Sequence, residues 1–276
     1  MIRISNLAFA YSSKEILKDF SLDLNAGETV MITGPNGMGK STILRLLAGV
    51  LIQQAGEIDH GYPKGTDPRQ KTAFLPDSLS FYRSMTPREA AKFHAGIFGT
   101  EPSNLELAKK AGVDLKRQIS ELSVGQRVLV QMAIILSTDP ELILIDEVLH
   151  SVDPYLRDIL FRELIEVMEE SKPTVVMVNL NFHDIEHLAD RVIFLGRDGI
   201  RLDESVDDLK AKTRRVIAEE IPPEYPVLLT ENVMGSKQHI VYPFEKNIGD
   251  IADENIREMD LTEIMTAFMG GEYHVS

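Results

Sequence analysis

Residues 2–7 alternate apolar and polar with the period of two that a half-buried strand requires, and residues 29–33 form a short β-prone run that ends at a glycine-rich turn. A helical pattern follows over residues 41–50, with Ile43, Leu44, Leu46 and Leu47 on its apolar side. After another short strand at 71–75 the period changes, and helices are predicted over 86–98, 103–111 and 123–136. Strands are then expected at 142–145, 174–178 and 191–195. Between the first two lies an amphipathic helix, 155–170, whose stripe is Leu156, Ile159, Leu160, Leu164, Val167 and Met168. Such alternation predicts an α/β fold with a mainly parallel sheet covered on both faces, and a helix-rich insert between strands. Weaker strand signals at 227–230 and 238–242 precede a helix over 261–269, predicted to stop at Gly270-Gly271.

Composition narrows the classes. The chain has 276 residues, enough for one large or two unequal domains, and no cysteine, which removes disulfides, thiolate metal clusters and cysteine nucleophiles. Its longest apolar runs fall far short of the ~20 residues of a spanning helix, and its first residues lack the apolar stretch of a signal peptide. A soluble chain with no direct membrane insertion is therefore expected. With 43 acidic and 29 basic side chains the formal charge is -14, which disfavours nucleic acid as a partner. Twelve acids against five bases fall within residues 214–276, so half of the excess charge sits there. That shift, with Arg214-Arg215 and the proline-rich stretch 221–226, predicts domains over 1–213 and 214–276, the latter a small α+β extension. The helix-rich part of the first is expected at about 78–137.

The most specific motif is Gly34-Pro35-Asn36-Gly37-Met38-Gly39-Lys40-Ser41-Thr42, which matches G-x-x-x-x-G-K-[ST] between a predicted strand and helix. Glycines let successive backbone N–H groups turn inward as an anion nest, and the following helix presents the positive end of its dipole. In such a loop Lys40 reaches the β and γ phosphates of a nucleotide and the Ser41 hydroxyl ligates Mg²⁺. A magnesium nucleotide site also needs a carboxylate at the end of a buried strand, and Leu142-Ile143-Leu144-Ile145-Asp146-Glu147 supplies two. Open α/β sheets bind ligands at that edge. Asp146 is the candidate metal residue and Glu147 the candidate catalytic base that polarises water.

Between loop and acidic strand lies Leu122-Ser123-Val124-Gly125-Gln126. With these three motifs in this order, residues 1 to about 210 resemble the ATP-binding subunits of ABC transporters, a family with the phosphate-loop NTPase fold, and the pentapeptide resembles the family's L-S-G-G-Q signature with Val124 in place of a glycine. The resemblance implies a head-to-tail dimer in which Ser123 and Gly125 of one chain contact the γ-phosphate held by the other; Ser123 also reads as an ordinary helix N-cap. It places Tyr11 where an aromatic ring stacks on adenine, and Asp153, in Ser151-Val152-Asp153, at the dimer interface. Asp153 equally reads as the N-cap of the next helix, with Pro154 at its first position.

Two positions depart from the family. Asp77 stands where a glutamine links Mg²⁺ and the attacking water to the permease, and it can still ligate metal. Leu180 stands where a histidine contacts the γ-phosphate, and leucine donates no hydrogen bond. His183, Asn179 and Asn181 are nearby polar residues, and His150 follows the acidic strand. Losing one such donor costs ~10²–10³ in rate, so slow hydrolysis is expected. The resemblance implies ATP and Mg²⁺ as ligands, ATP hydrolysis as the activity, a homodimer or heterodimer of ATPase subunits, and a separate membrane permease as partner. It implies a cytoplasmic chain peripheral to the inner face of the cell membrane. The layout and short extension are most similar to ABC-2-type exporter subunits. A soluble non-transport ABC ATPase, or a degenerate regulatory partner of a competent paralogue, are the alternatives.

Overall fold

The computed structural model describes residues 1–77, 82–147, 152–178, 186–223, 225–233, 235–244 and 251–274, with side chains up to Gly270. Contacts gather the chain into two units, Met1–Ile32 with Gly39–Asn179, and Thr33–Met38 with Leu180–Ser276.

In the first unit, β1 (Ile2–Tyr11) pairs antiparallel with β2 (Lys14–Leu24). The strand β1 runs past residue 7 because Asn6 adopts a left-handed φ of 48° and the register shifts between Ile4 and Leu7. The inward set changes phase there, so Ile2 and Ile4, then Leu7 and Phe9, all face the core. Asp19 (φ 48°) does the same in β2, which hides the alternation that would have announced this strand. Next come β3 (Thr29–Thr33), α1 (Lys40–Leu47), β4 (Ala55–Asp59), which pairs with β1, and β5 (Thr72–Leu75).

Helices α2 (Pro87–Phe98), α3 (Glu106–Lys110) and α4 (Val124–Leu136) form the expected helix-rich insert. It has a core of its own, built on Ala90, Ala91, Leu105, Val130 and Ile134. Thr86 and Glu89 form a capping box at the start of α2, and Gly99 ends it with a left-handed φ. The chain then returns through β6 (Leu142–Asp146), α5 (Pro154–Glu170) and β7 (Thr174–Val178). Strands run parallel in the order β5-β6-β7-β3. Every residue of β3, β6 and β7 is buried, as an apolar run covered on both faces requires. Of the predicted stripe on α5, Leu156, Leu160 and Leu164 are buried, while Ile159, Val167 and Met168 are half-buried.

The second unit opens with the hairpin β8 (Arg191–Gly196) and β9 (Gly199–Ser205), followed by α6 (Val206–Ala211). A four-stranded antiparallel sheet follows, in the order β11-β12-β10-β13, from β10 (Arg214–Ile217), β11 (Val227–Val233), β12 (Ser236–Val241) and β13 (Ile256–Arg257). Residue 213, where the charge shift suggested a boundary, lies inside this unit, with the Thr213 hydroxyl buried against the Leu209 carbonyl at 2.7 Å. The last helix, α7 (Leu261–His274), corrects the expectation of a stop at Gly270-Gly271. A Cβ on Gly270 would stand 3.3 Å from a Leu229 side-chain carbon, so the glycine lets the helix approach β11 closely. Packing of this kind outweighs the roughly 1 kcal/mol that glycine costs a helix interior.

Candidate functional site

The glycine loop takes the conformation its residue types permit. Gly34, Gly37 and Gly39 have φ of 133°, 86° and 91°, values that side chains with a Cβ rarely adopt. Two of the three are also sterically fixed. A Cβ on Gly34 would lie 2.1 Å from the Leu195 carbonyl oxygen, and one on Gly39 would meet Ile16 at 3.0 Å and Leu17 at 3.1 Å. Gly39 occupies the N-cap of α1 and offers no side chain to the first turn, which leaves the helix's amino end suited to an anion. Asn36 and Gly37 are exposed, while Pro35 and Met38 are half-buried.

Behind the loop, α1 begins with Lys40, Ser41 and Thr42. Lys40 is only 4% exposed. Burial lowers its ammonium pKa from the ordinary value, opposed by the charges of Glu147 and Asp146. Ser41 donates its hydroxyl to Asp146 Oδ1 at 2.9 Å. Asp146, the last residue of β6, is fully buried, and burial pushes its carboxyl pKa up to about 6, with the Ser41 hydrogen bond and Arg45 opposing and Asp77 and Glu147 adding to the rise. Its Oδ2 has no hydrogen-bond partner among the described residues. A buried, unpartnered carboxylate oxygen beside a serine hydroxyl suits a hard cation that takes oxygen ligands, so these residues fit Mg²⁺. Among the described residues no three His, Cys, Asp or Glu side chains converge on a metal site; the cation's other ligands would be phosphate and water, as is usual for Mg²⁺.

Glu147 follows directly, half-buried, its backbone N–H donating to the Val178 carbonyl at 3.1 Å. Asp77, two residues beyond β5, is exposed and forms an ion pair with Arg45, Nη2 to Oδ1, at 3.1 Å. Burial would lower the arginine's pKa, but the neighbouring Tyr11 phenol and the charges of Asp77 and Asp146 raise it overall. Tyr11 closes β1 with 41% of its surface exposed, edge-on to Phe9 at 4.9 Å between ring centroids. Residue-by-residue reading of the sequence missed Arg45. Its spacing was the available signal, since it lies four residues after Ser41 and shares that helix face.

The remaining candidates stand at helix starts. Ser123 caps α4: its hydroxyl accepts from Gln126 N–H at 3.2 Å, and Gln126 Oε1 accepts from Ser123 N–H at 3.2 Å. Val124 is exposed. Gly125 is buried, and a Cβ there would fall 2.7 Å from Leu156 Cδ1, 3.4 Å from Val152 and 3.5 Å from Asp153 Oδ2. Asp153 caps α5, its Oδ1 accepting from Leu156 N–H at 3.1 Å, with Pro154 at the first position. Both N-cap readings therefore hold. Leu180, Asn179, Asn181, His183, His150 and Ser151 lie outside the described residues.

A glycine loop that opens a helix on lysine and serine, with the serine bound to a strand-end aspartate, defines a phosphate-loop nucleotide-binding protein. Residues 17–150 match the ABC transporter family. Curated relatives agree. The taurine import ATP-binding protein TauB of Escherichia coli O157:H7 is 33% identical over 195 residues, 67% of this chain and 74% of the relative. The sulfate/thiosulfate import ATP-binding protein CysA of Escherichia coli K12 is 30% identical over 226 residues, 75% of this chain, and the match spans 61% of that longer protein. The lantibiotic transport ATP-binding protein SrtF of Streptococcus pyogenes is 28% identical over 214 residues, covering 75% of this chain and 92% of the relative. In fold, the chain is similar to the ATP-binding subunit of an ABC transporter, with a TM-score of 0.66, 23% identity and coverage of 76% of this chain and 92% of that one. It is equally similar to a dimeric ATP-binding cassette in a post-hydrolysis state with ADP and phosphate, with a TM-score of 0.65, 23% identity and coverage of 75% and 99%. The chain belongs to the ABC transporter family of ATP-binding proteins. Relatives named for import and for export both occur, and no helix among the described residues is long and apolar enough to cross a membrane.

Proposed function

We propose that this chain binds and hydrolyses ATP and that closure of a dimer of such subunits around nucleotide drives a separate membrane permease. The observation that carries the reading is the Ser41–Asp146 hydrogen bond beside a buried Lys40, with Asp146 Oδ2 left unpartnered. Ser41 and Asp146 would hold Mg²⁺, which when bound neutralises phosphate charge. Lys40 binds the β and γ phosphate oxygens. The Glu147 carboxylate accepts a proton from the attacking water, and the exposed Tyr11 ring stacks on the base. Ser123 and Gly125 serve the partner's nucleotide and Asp153 the dimer contact, so one chain alone is an incomplete catalyst. The names of the relatives, all transport ATP-binding proteins, support a transport role. The short extension and general layout support an export role of the ABC-2 type, at the inner face of the cell membrane.

Hydrolysis is proposed to be slow because Leu180 offers no donor and Asp77 replaces an amide. Gel filtration of Glu147→Gln with Mg-ATP tests the main reading: a nucleotide-dependent dimer is expected, and a chain that neither binds ATP nor dimerises, with or without its permease, would overturn it. The rate proposal fails if Leu180→His brings no gain in turnover.

A further inference from the structure

Helices α4 and α5 begin in the same way. Each is capped by a side-chain oxygen, Ser123 Oγ or Asp153 Oδ1, that accepts from the backbone N–H three residues on. Each also carries an arginine four residues after its cap, and the guanidinium reaches back to the carbonyl just before that cap. Arg127 Nη1 donates to the Leu122 oxygen at 3.0 Å, and Arg157 Nη2 donates to the Val152 oxygen at 3.1 Å. Leu122 and Val152 are buried, and their carbonyls precede the helical ladder, so the arginines supply partners that the helices do not. A cation so near a helix start opposes the dipole, and local preference alone would not put one there twice. The two starts also touch, because the place of a Cβ on Gly125 is taken by Leu156, Val152 and Asp153 Oδ2.

We propose that Arg127 and Arg157 are positioning residues that fix residues 122–123 and 152–153 as one body, so that the segments offered to the partner's nucleotide and to the dimer contact arrive together. This rests on the dimer-closure reading above and deepens it. A loosely held entry segment would lose conformational entropy each time the dimer closed. A charge-assisted hydrogen bond from each helix to its own entry segment removes that cost in advance. Neither arginine takes part in the Ser41–Asp146 hydrogen bond that marks the nucleotide site of the same chain, so nucleotide binding and dimer closure should respond separately to their loss.

The test uses the full chain carrying Glu147→Gln and compares two readouts, affinity of the dilute chain for a fluorescent ATP analogue and Mg-ATP-dependent dimerisation by sedimentation. Arg127→Met and Arg157→Met keep the apolar stem and lose the donor. Each should leave analogue affinity within about twofold and weaken the dimer about tenfold or more, the order that loss of one hydrogen bond to a charged group carries. Combining the two should cost less than the product of the single effects, because one loosened segment already frees the other. Arg127→Lys and Arg157→Lys keep one donor for one acceptor and should recover most of the dimer affinity, which holds the test sound even where a methionine unfolds the chain. The proposal is overturned if either methionine variant dimerises as tightly as its parent, if the two effects multiply as independent ones, or if lysine does no better than methionine. It is also overturned if analogue affinity falls in step with dimerisation, the mark of a general loss of structure. A parent chain that binds no analogue, or forms no dimer with or without its permease, would instead sink the dimer-closure reading.

Discussion

Ser41 and Asp146 stand 105 positions apart and meet through one hydrogen bond of 2.9 Å, the hydroxyl at the start of α1 donating to the carboxylate at the end of β6. Asp146 is fully buried and its other oxygen has no partner among the described residues. In the proposed function a cation would supply the partner that this second oxygen lacks. Ser41→Ala should therefore abolish most of the tightening that Mg²⁺ gives to nucleotide binding, while nucleotide affinity without metal changes little. Removing the donor also leaves a buried acceptor unsatisfied, a loss of about 1–3 kcal/mol in stability. Calorimetric titration of ATP analogue with and without Mg²⁺, together with urea unfolding, reads both. A variant that keeps the full Mg²⁺ effect would show that Ser41 is not part of the metal site.

Gly125 is needed within its own chain, whatever its part across a dimer. A Cβ at this position would lie 2.7 Å from Leu156 Cδ1, and Leu156 is itself buried. Gly125→Ala should force α4 and the start of α5 apart, or turn Leu156 out of its rotamer, at a cost of about 1–3 kcal/mol. Leu156→Ala alone should cost about 2–4 kcal/mol through the cavity it leaves. The double variant should be more stable than the sum predicts, by about 1 kcal/mol, because the new methyl occupies part of that cavity. Strict additivity in urea unfolding would mean that the two side chains do not share space.

Much of this arrangement was legible because the residues concerned obey a local rule. The runs at β3, β6 and β7 read as strands since burial on both faces demands apolar side chains throughout. Lys40, Ser41 and Asp146 were legible because a glycine loop and an acidic strand end leave few other uses for those residue types. Where tertiary structure overrode the local pattern, the sequence misled or was silent. Asn6 and Asp19 interrupt the alternation of β1 and β2 by turning left-handed, so one strand looked short and the other went unseen. Gly270 looked like a helix stop, yet its missing side chain makes room for Leu229. Arg45 went unread in the sequence because its ion-pair partner, Asp77, follows a strand that only the fold brings beside α1.

His94 lies buried in the helix-rich insert, stacked on Phe98 at 4.4 Å, with Nδ1 unpartnered among the described residues. Burial holds its imidazole pKa below the ordinary value of 6.5. With the folded pKa depressed, the unfolded chain takes up a proton first as pH falls. The contribution to stability is thus present above pH 6.5 and is lost as pH drops toward the folded value. His94→Phe keeps an aromatic ring against Phe98 and cannot titrate, so its urea midpoint should fall less between pH 7 and pH 5 than that of the wild type. Parallel declines in the two proteins would remove His94 from the acid sensitivity of the fold.

Within the second unit, Phe268 of α7 packs against Phe194 of β8 at 5.7 Å and edge-on against Tyr242 at 5.3 Å between ring centroids. Tyr242 in turn donates its hydroxyl to Glu204 Oε1 at 3.2 Å, which ties the stretch after β12 to β9. The ring at 268 therefore joins the last helix to the β8–β9 hairpin across the proposed boundary at 213. Phe268→Ala should destabilise the protein by about 2–3 kcal/mol, somewhat below the range for a fully buried phenylalanine because this one is half-buried. Phe268→Leu, which fills most of the same volume, should recover at least half of that loss. A chain ending at residue 213 removes the helix altogether, uncovers Phe194, and should fold less stably than the full protein or aggregate through the exposed apolar surface. If that truncated chain unfolds in urea at the same midpoint as the full one, α7 adds nothing to the stability of the preceding hairpin, and the boundary at 213 is a true division in stability as well as in charge.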